Sequence, residues 1–211
     1  MTREIDQVKV VRKIIVNFDI CFSTSILEDL VRTENQRLWR NLILHLKGYL
    51  RRKGGSVGFE LYKFLGDGWI LLFDPKPKGM EIFQFFEYLS DKFTSYYRRH
   101  IRNVLNIRIP AVGLKFGMDI GSCIQVQMNQ QPEYIGRPLN VATRLQGAIR
   151  QRDKQPENKV LLSKNLYATF GDKRQIERKY KVWSVPRNLK NISEGEGFRC
   201  VKVELKRHPS D

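Results

Sequence analysis

Val8-Lys9-Val10-Val11-Arg12-Lys13-Ile14-Ile15-Val16-Asn17-Phe18-Asp19 is a run of valines and isoleucines that turns polar after Phe18. β-Branched side chains lose rotamer freedom in a helix and pack well on a pleated surface, so the run reads as a buried strand with Asp19 at its carboxyl end. Downstream, Leu38, Leu42, Ile43, Leu46, Tyr49 and Leu50 recur on one helical face over residues 34–53, and Gly54-Gly55 is expected to stop that helix. Phe59-Glu60-Leu61-Tyr62-Lys63-Phe64 alternates, Gly66-Asp67-Gly68 supplies turn residues, and 69–73 resumes as a strand, which makes a hairpin with Asp67 near its tip.

The rest of the chain completes the pattern. Ile82, Phe83, Phe86, Leu89 and Phe93 predict a long helix over 79–103, 109–118 and 120–126 read as two strands, and 137–150 reads as a helix. Strand-like stretches follow at 160–162, 180–185 and 199–205, with a short helix at 164–170. The order strand, helix, hairpin, helix, strands predicts an α+β sandwich, a mainly antiparallel sheet with helices packed against it in the ferredoxin-like arrangement. A single domain is expected over 1–211, with a motif-bearing core at about 8–150 and C-terminal strands within 151–206.

Composition bounds the function classes. Hydrophobic residues at 41% and aromatics at 11% of 211 residues suit a chain that folds on its own and exclude a disordered one. The net charge of +16 favours polyanionic ligands, namely nucleotides, nucleic acid or anionic lipid, and equally suits a solubilising surface. Cys21, Cys123 and Cys200 are odd in number and far apart, outside any disulfide framework or zinc spacing. With no long apolar run, the chain is expected to be soluble and cytoplasmic, with no membrane partner.

Two carboxylates carry the chemistry. Asp19 and Asp67 would be neighbours in such a sheet, and Mg²⁺ and Mn²⁺ take oxygen ligands and serve phosphoryl transfer. Each also has an ordinary reading, Asp19 capping the following turn and Gly-Asp-Gly turning a hairpin. Asn140 and Arg144 lie four apart and share a helix face, where Arg offers a planar fork for phosphate and Asn can orient a hydroxyl.

Together these segments resemble the class III nucleotide cyclase catalytic domain, which converts a nucleoside triphosphate to a 3′,5′-cyclic nucleotide and pyrophosphate. Val16-Asn17-Phe18-Asp19-Ile20-Cys21-Phe22-Ser23-Thr24 resembles the family's F-x-D-I-x-G-F-T metal loop. Lys63-Phe64-Leu65-Gly66-Asp67-Gly68 resembles its K-x-x-G-D hairpin. Gly113-Leu114-Lys115-Phe116-Gly117 and Gly136-Arg137-Pro138-Leu139-Asn140-Val141-Ala142-Thr143-Arg144-Leu145 resemble its G-I-x-x-G strand and G-x-x-x-N-x-A-x-R helix.

The resemblance implies that Asp19 and Asp67, helped by the Ile20 carbonyl, hold two divalent ions, Mn²⁺ or Mg²⁺, per active site. It implies that Asn140 orients the ribose, Arg144 stabilises charge on the phosphates, and a homodimer builds composite sites in which the carboxylates and the Asn–Arg pair come from different subunits. Lys63 and Glu133, seven residues before Asn140, fall at the base-reading positions. Phe22 lies in the phosphate-side loop, where Phe22-Ser23 replaces the usual Gly-Phe, and Lys190 matches the triphosphate-binding lysine. His45, His100 and His208 match no family site.

Among such cyclases the chain is most similar to the stand-alone pyrimidine cyclases of bacterial Pycsar anti-phage defence. That implies a pyrimidine triphosphate as substrate, UTP in preference to CTP, with cyclic UMP or cyclic CMP as product and a separate cyclic-nucleotide-responsive effector as partner. An adenylate cyclase making cyclic AMP is the alternative within the family, because a lysine–acid pair can also read adenine. Outside it, a basic α+β module could stack RNA bases on Phe59, Tyr62 and Phe64, although two carboxylates would repel the phosphates, and nucleic acid is not expected as a partner.

Overall fold

The valine- and isoleucine-rich run becomes β1 (Lys9–Ile20), and its alternation faces two different layers. Ile14, Val16, Phe18 and Ile20 enter the main core, whereas Ile15 and Asp19 point to the other side of the sheet. Both faces are covered from Ile14 to Phe18, which is why Ile14-Ile15-Val16 is an unbroken apolar run, whereas Lys9 to Lys13 are more open. In this computed structural model the residues described are 8–76, 78–192 and 197–206.

β1 is flanked on both sides by antiparallel strands. β3 (Gly68–Phe73) pairs Asp19 with Gly68, and β4 (Leu114–Met128) pairs Asp19 with Lys115. β2 (Phe59–Phe64) lies outside β3, joined by the expected hairpin. β6 (Lys159–Ser163) runs parallel to β4, and β8 (Phe198–Glu204) and β7 (Lys181–Arg187) extend the sheet antiparallel. The order β2-β3-β1-β4-β6-β8-β7 contains the ferredoxin-like core, and β5 (Gln131–Ile135) pairs the far end of β4. The architecture is the α+β one read from the sequence.

The helices divide between the two faces. α1 (Ser23–Arg32), α2 (Gln36–Val57) and α3 (Gly79–His100) cover the large core, where Phe86 stacks on Phe116 with ring centroids 4.2 Å apart. α4 (Arg137–Ala148) lies on the opposite face against β4 and β1, the side that Asp19 occupies. α5 (Lys164–Thr169) and α6 (Lys173–Lys179) follow β6.

Four local readings are corrected. Gly54-Gly55 does not end α2, which runs to Val57 and stops at Gly58, whose φ of 81° is the left-handed turn that glycine adopts without strain. The two strands expected at 109–118 and 120–126 are one: β4 starts only at Leu114 and runs unbroken through Asp119, paired to β1 from Leu114 to Gln125. β5 was not legible because its hairpin turns on Asn129 and Gln130, both at positive φ without the usual glycine. α1 and α6, which no sequence reading assigned, are short helices held by Ile26, Leu30 and Ile176 in the core.

Candidate active site

Asp19 reaches the carboxyl end of β1, and the β2–β3 turn carries Asp67 beside it, with the Ile20 amide donating to the Asp67 carbonyl at 3.3 Å. This closeness depends on Gly68, where a Cβ would sit 1.9 Å from the Phe18 carbonyl oxygen. Phe22 then takes a left-handed conformation, φ 59°, and turns the chain into α1. Ser23, the first residue of that helix, donates its hydroxyl to the Asp67 carboxylate. The motif thus folds back on itself, so that its serine holds the second aspartate.

Lys115 was quoted within a motif but assigned no role, and it proves to be part of the site. Its Nζ donates to Asp19 Oδ2 at 3.2 Å and lies 3.1 Å from Oδ1, which itself receives no hydrogen bond. The Lys115 side chain is 9% exposed and that of Asp19 24%. Burial pushes the Asp19 carboxyl above its ordinary range, Lys115 opposes the rise, and the nearby charge of Asp67 adds to it. Ser23 and Lys115 were missed because only the β1–β4 register and the fold-back of the loop set them against the aspartates.

The donors at this point fit a small divalent cation. They are oxygens, two of them carboxylates on adjoining segments, close enough that the charge of Asp67 acts on Asp19. Among the described residues no group of three or more His, Cys, Asp or Glu forms a closed metal cage. Further ligands would come from the Ile20 carbonyl, water and substrate phosphates, which is how Mg²⁺ is commonly held.

A second cluster unites the expected base-reading residues. Lys63 Nζ lies 3.2 Å from Glu133 Oε2, across from β2 to β5. Tyr62, the neighbour of Lys63, donates its hydroxyl to Glu133 and accepts from the Tyr134 amide at 3.1 Å. Burial and the hydrogen bond to Glu133 push the Tyr62 phenol up to about 12, so it remains a donor at neutral pH. Tyr62 and Lys63 in turn hold the Glu133 carboxyl below its ordinary value.

Asn140 and Arg144 stand exposed on α4, and no hydrogen bond or ion pair holds either among the described residues. They are joined to neither cluster within this chain. Their helix is seated closely: a Cβ on Gly117 would lie 2.0 Å from the Ala142 carbonyl oxygen. The Phe22 ring sits under Arg150, whose guanidinium carbon is 4.9 Å from the ring centre, so a cation not singled out from the sequence borders the loop. Lys190 is exposed between β7 and β8 and makes no hydrogen bond to the aspartates.

Of the three rings named for RNA stacking, Phe64 is exposed, Tyr62 partly buried and Phe59 buried. Phe59 is buried against Phe73 and Phe85, Tyr62 is tied to Glu133, and Phe64 lies on Trp69. His45 and His100 flank Tyr96 on α2 and α3, and His208 lies outside the described residues. The three cysteines are buried and free. No helix among the described residues is long and apolar enough to cross a membrane.

No protein-family model matches the sequence, and no curated protein matches it. Solved structures do. A bacterial light-regulated adenylyl cyclase superposes with a TM-score of 0.67 at 16% identity, over 97% of this chain and 55% of that one. The adenylyl cyclase CyaB from P. aeruginosa gives 0.65 at 18% identity, over 97% of this chain and 100% of that one. A guanylyl cyclase gives 0.64 at 14% identity, over 95% and 94%. This chain thus spans about half of the light-regulated enzyme and all or nearly all of the other two. Its fold is that of the adenylyl and guanylyl cyclases.

Proposed function

We propose that this chain is a metal-dependent nucleotide cyclase catalytic domain over 1–211, acting as a homodimer and converting UTP to cyclic UMP and pyrophosphate. The observation that carries the reading is the meeting of Asp19 and Asp67 at one end of β1, in a cyclase fold, with the Lys63–Glu133 pair formed on the same sheet. In the reaction the ribose 3′-oxygen bonds to the α-phosphorus, the bond from that phosphorus to the pyrophosphate oxygen breaks, and the hydroxyl proton leaves to solvent.

Asp19, Asp67 and the Ile20 carbonyl would hold divalent ions, whose chemistry there is to acidify the 3′-hydroxyl and neutralise the phosphates. The chain's own residues do the rest. Asn140 of a second copy orients the ribose, and Arg144 of that copy offers a permanent positive charge to the phosphates as the bond breaks. Both are exposed and uncommitted within one chain, which supports a site completed by a partner. Phe22 and Lys190 contribute to the triphosphate side.

The pyrimidine reading is supported by Tyr62. Lys63 offers a donor and Glu133 an acceptor, a pattern that uracil O4 and N3–H satisfy and that adenine N1 and N6 satisfy too. The Tyr62 ring, fixed by its bonds to Glu133 and the Tyr134 amide, occupies space beside that pair and favours the smaller base. The role of cyclic UMP as a cytoplasmic second messenger of anti-phage defence, received by a separate effector, rests on the likeness to small, strongly basic pyrimidine cyclases and not on the cyclase motifs.

The test is incubation with Mn²⁺ and each of ATP, GTP, CTP and UTP, with products identified by mass spectrometry. Cyclic UMP is expected; cyclic AMP would make Lys63 and Glu133 an adenine pair, and no cyclic product would overturn the cyclase reading. Asp67→Ala and Arg144→Ala chains, each inactive, should regain up to roughly a quarter of wild-type activity when mixed, since about half the dimers are then mixed and each holds one intact site.

A further inference from the structure

We infer that Lys115 is the resident counter-ion of the metal site, a positioning residue that holds Asp19 in place before metal arrives and weakens the binding of free divalent ions. The inference rests on the reading of Asp19 as a metal ligand. Its basis is geometric. The Lys115 ammonium addresses both oxygens of Asp19, at 3.1 and 3.2 Å, but donates its hydrogen bond only to Oδ2. Oδ1 is the nearer of the two, so a cation at either oxygen would share the carboxylate with Lys115.

Lys115 cannot easily leave. Its side chain is 9% exposed, and a buried ammonium deprived of its carboxylate loses its compensation for desolvation. The register shows why it is confined: directly paired residues share a face, and Asp19, Lys115, Lys159, Glu204 and Lys181 form one charged row across β1, β4, β6, β8 and β7. Lys159, the next cation in the row, is answered by Asp153 at 3.7 Å. Lys115 is therefore held between a second lysine and the aspartate, and its charge stays in the site.

The consequence is a site that folds without metal and takes metal reluctantly. A divalent ion on the Asp19 carboxylate shares it with an ammonium, and a doubly charged and a singly charged cation about 5 Å apart weaken binding by more than about tenfold even with the dielectric constant of water. A triphosphate that brings its own metal offsets that repulsion with its negative charge. Metal accordingly enters best together with nucleotide.

The test is titration of nucleotide-free protein with Mn²⁺, followed by electron paramagnetic resonance of the free ion, in wild type and in Lys115→Met, Lys115→Gln and Lys115→Arg. Lys115→Met and Lys115→Gln should bind Mn²⁺ at least ~10-fold more tightly than wild type, and Lys115→Arg should bind as wild type does. In thermal melts the metal-free Lys115→Met chain should lose stability that Mn²⁺ restores, whereas wild type should respond little. Should Lys115→Met not fold, Lys115→Gln carries the comparison. Unchanged or weaker Mn²⁺ binding by a folded variant overturns the inference while leaving the metal reading intact. Mn²⁺ binding that survives Asp19→Asn, or is absent from every chain, overturns the metal reading and the inference with it.

Discussion

Replacing Gly117 by alanine tests how α4 is seated. The added methyl would lie 2.0 Å from the Ala142 carbonyl oxygen and 2.4 Å from the Gln146 amide nitrogen, whereas ordinary contact begins at 3.4 Å. Both neighbours are backbone of α4, whose internal hydrogen bonds make it move as a body, so the helix must retreat by about 1.4 Å. Overpacking of this kind costs about 1–3 kcal/mol. At roughly 2–4 °C per kcal/mol for a chain of this size, a cost of about 2 kcal/mol lowers Tm by about 4–8 °C. Gly147, on the same helix, has nothing within 4 Å of its hypothetical Cβ, so the same substitution there should gain about 0.5–1 kcal/mol from backbone entropy alone. Scanning calorimetry should therefore show the two variants moving in opposite directions. Because α4 carries Asn140 and Arg144, a displacement of about 1 Å should also cost Gly117→Ala on the order of 100-fold in kcat, with Gly147→Ala unaffected. Gly117→Ala melting at or above wild type would refute the close-approach argument.

Two other outcomes follow from the packing and the charges. Phe86 is fully buried and stacks on Phe116, so Phe86→Ala should cost about 3–5 kcal/mol in urea unfolding, and a loss below 1 kcal/mol would mean the two layers are not in contact there. Glu133 has its folded pKa depressed by Tyr62 and Lys63, so its contribution to stability is present above its ordinary value of 4.5 and is lost as pH falls through the folded value. The Tm difference between wild type and Glu133→Gln should accordingly be constant from about pH 6 to 7 and shrink below about pH 4.5, and a difference that does not change with pH would remove the assigned hydrogen bonds.

Much of this protein is legible in one dimension because its signals are local. The apolar run of β1, the Gly66-Asp67-Gly68 turn and the helical repeat of α3 each declare an element, and their order selects the antiparallel α+β arrangement. Asp19, Asp67, Asn140 and Arg144 could be picked out because each sits at a strand end, a turn or a helix face that sequence spacing reveals. What spacing cannot show is which face meets which.

Lys115 illustrates the limit. In sequence it is one residue between Leu114 and Phe116, ninety-six positions from Asp19, and only the antiparallel β1–β4 register brings its ammonium onto that carboxylate. Tyr62 was likewise a residue in an alternating strand until β5 brought Glu133 to its hydroxyl. The order of residues was enough to mark most of the elements and to place Asp19 at a strand end and Asp67 in a turn, because backbone preference and hydrophobic period act between near neighbours. Only the tertiary structure decided the partners of those carboxylates, since long-range ion pairs depend on strand register and layer contact, which no local pattern encodes.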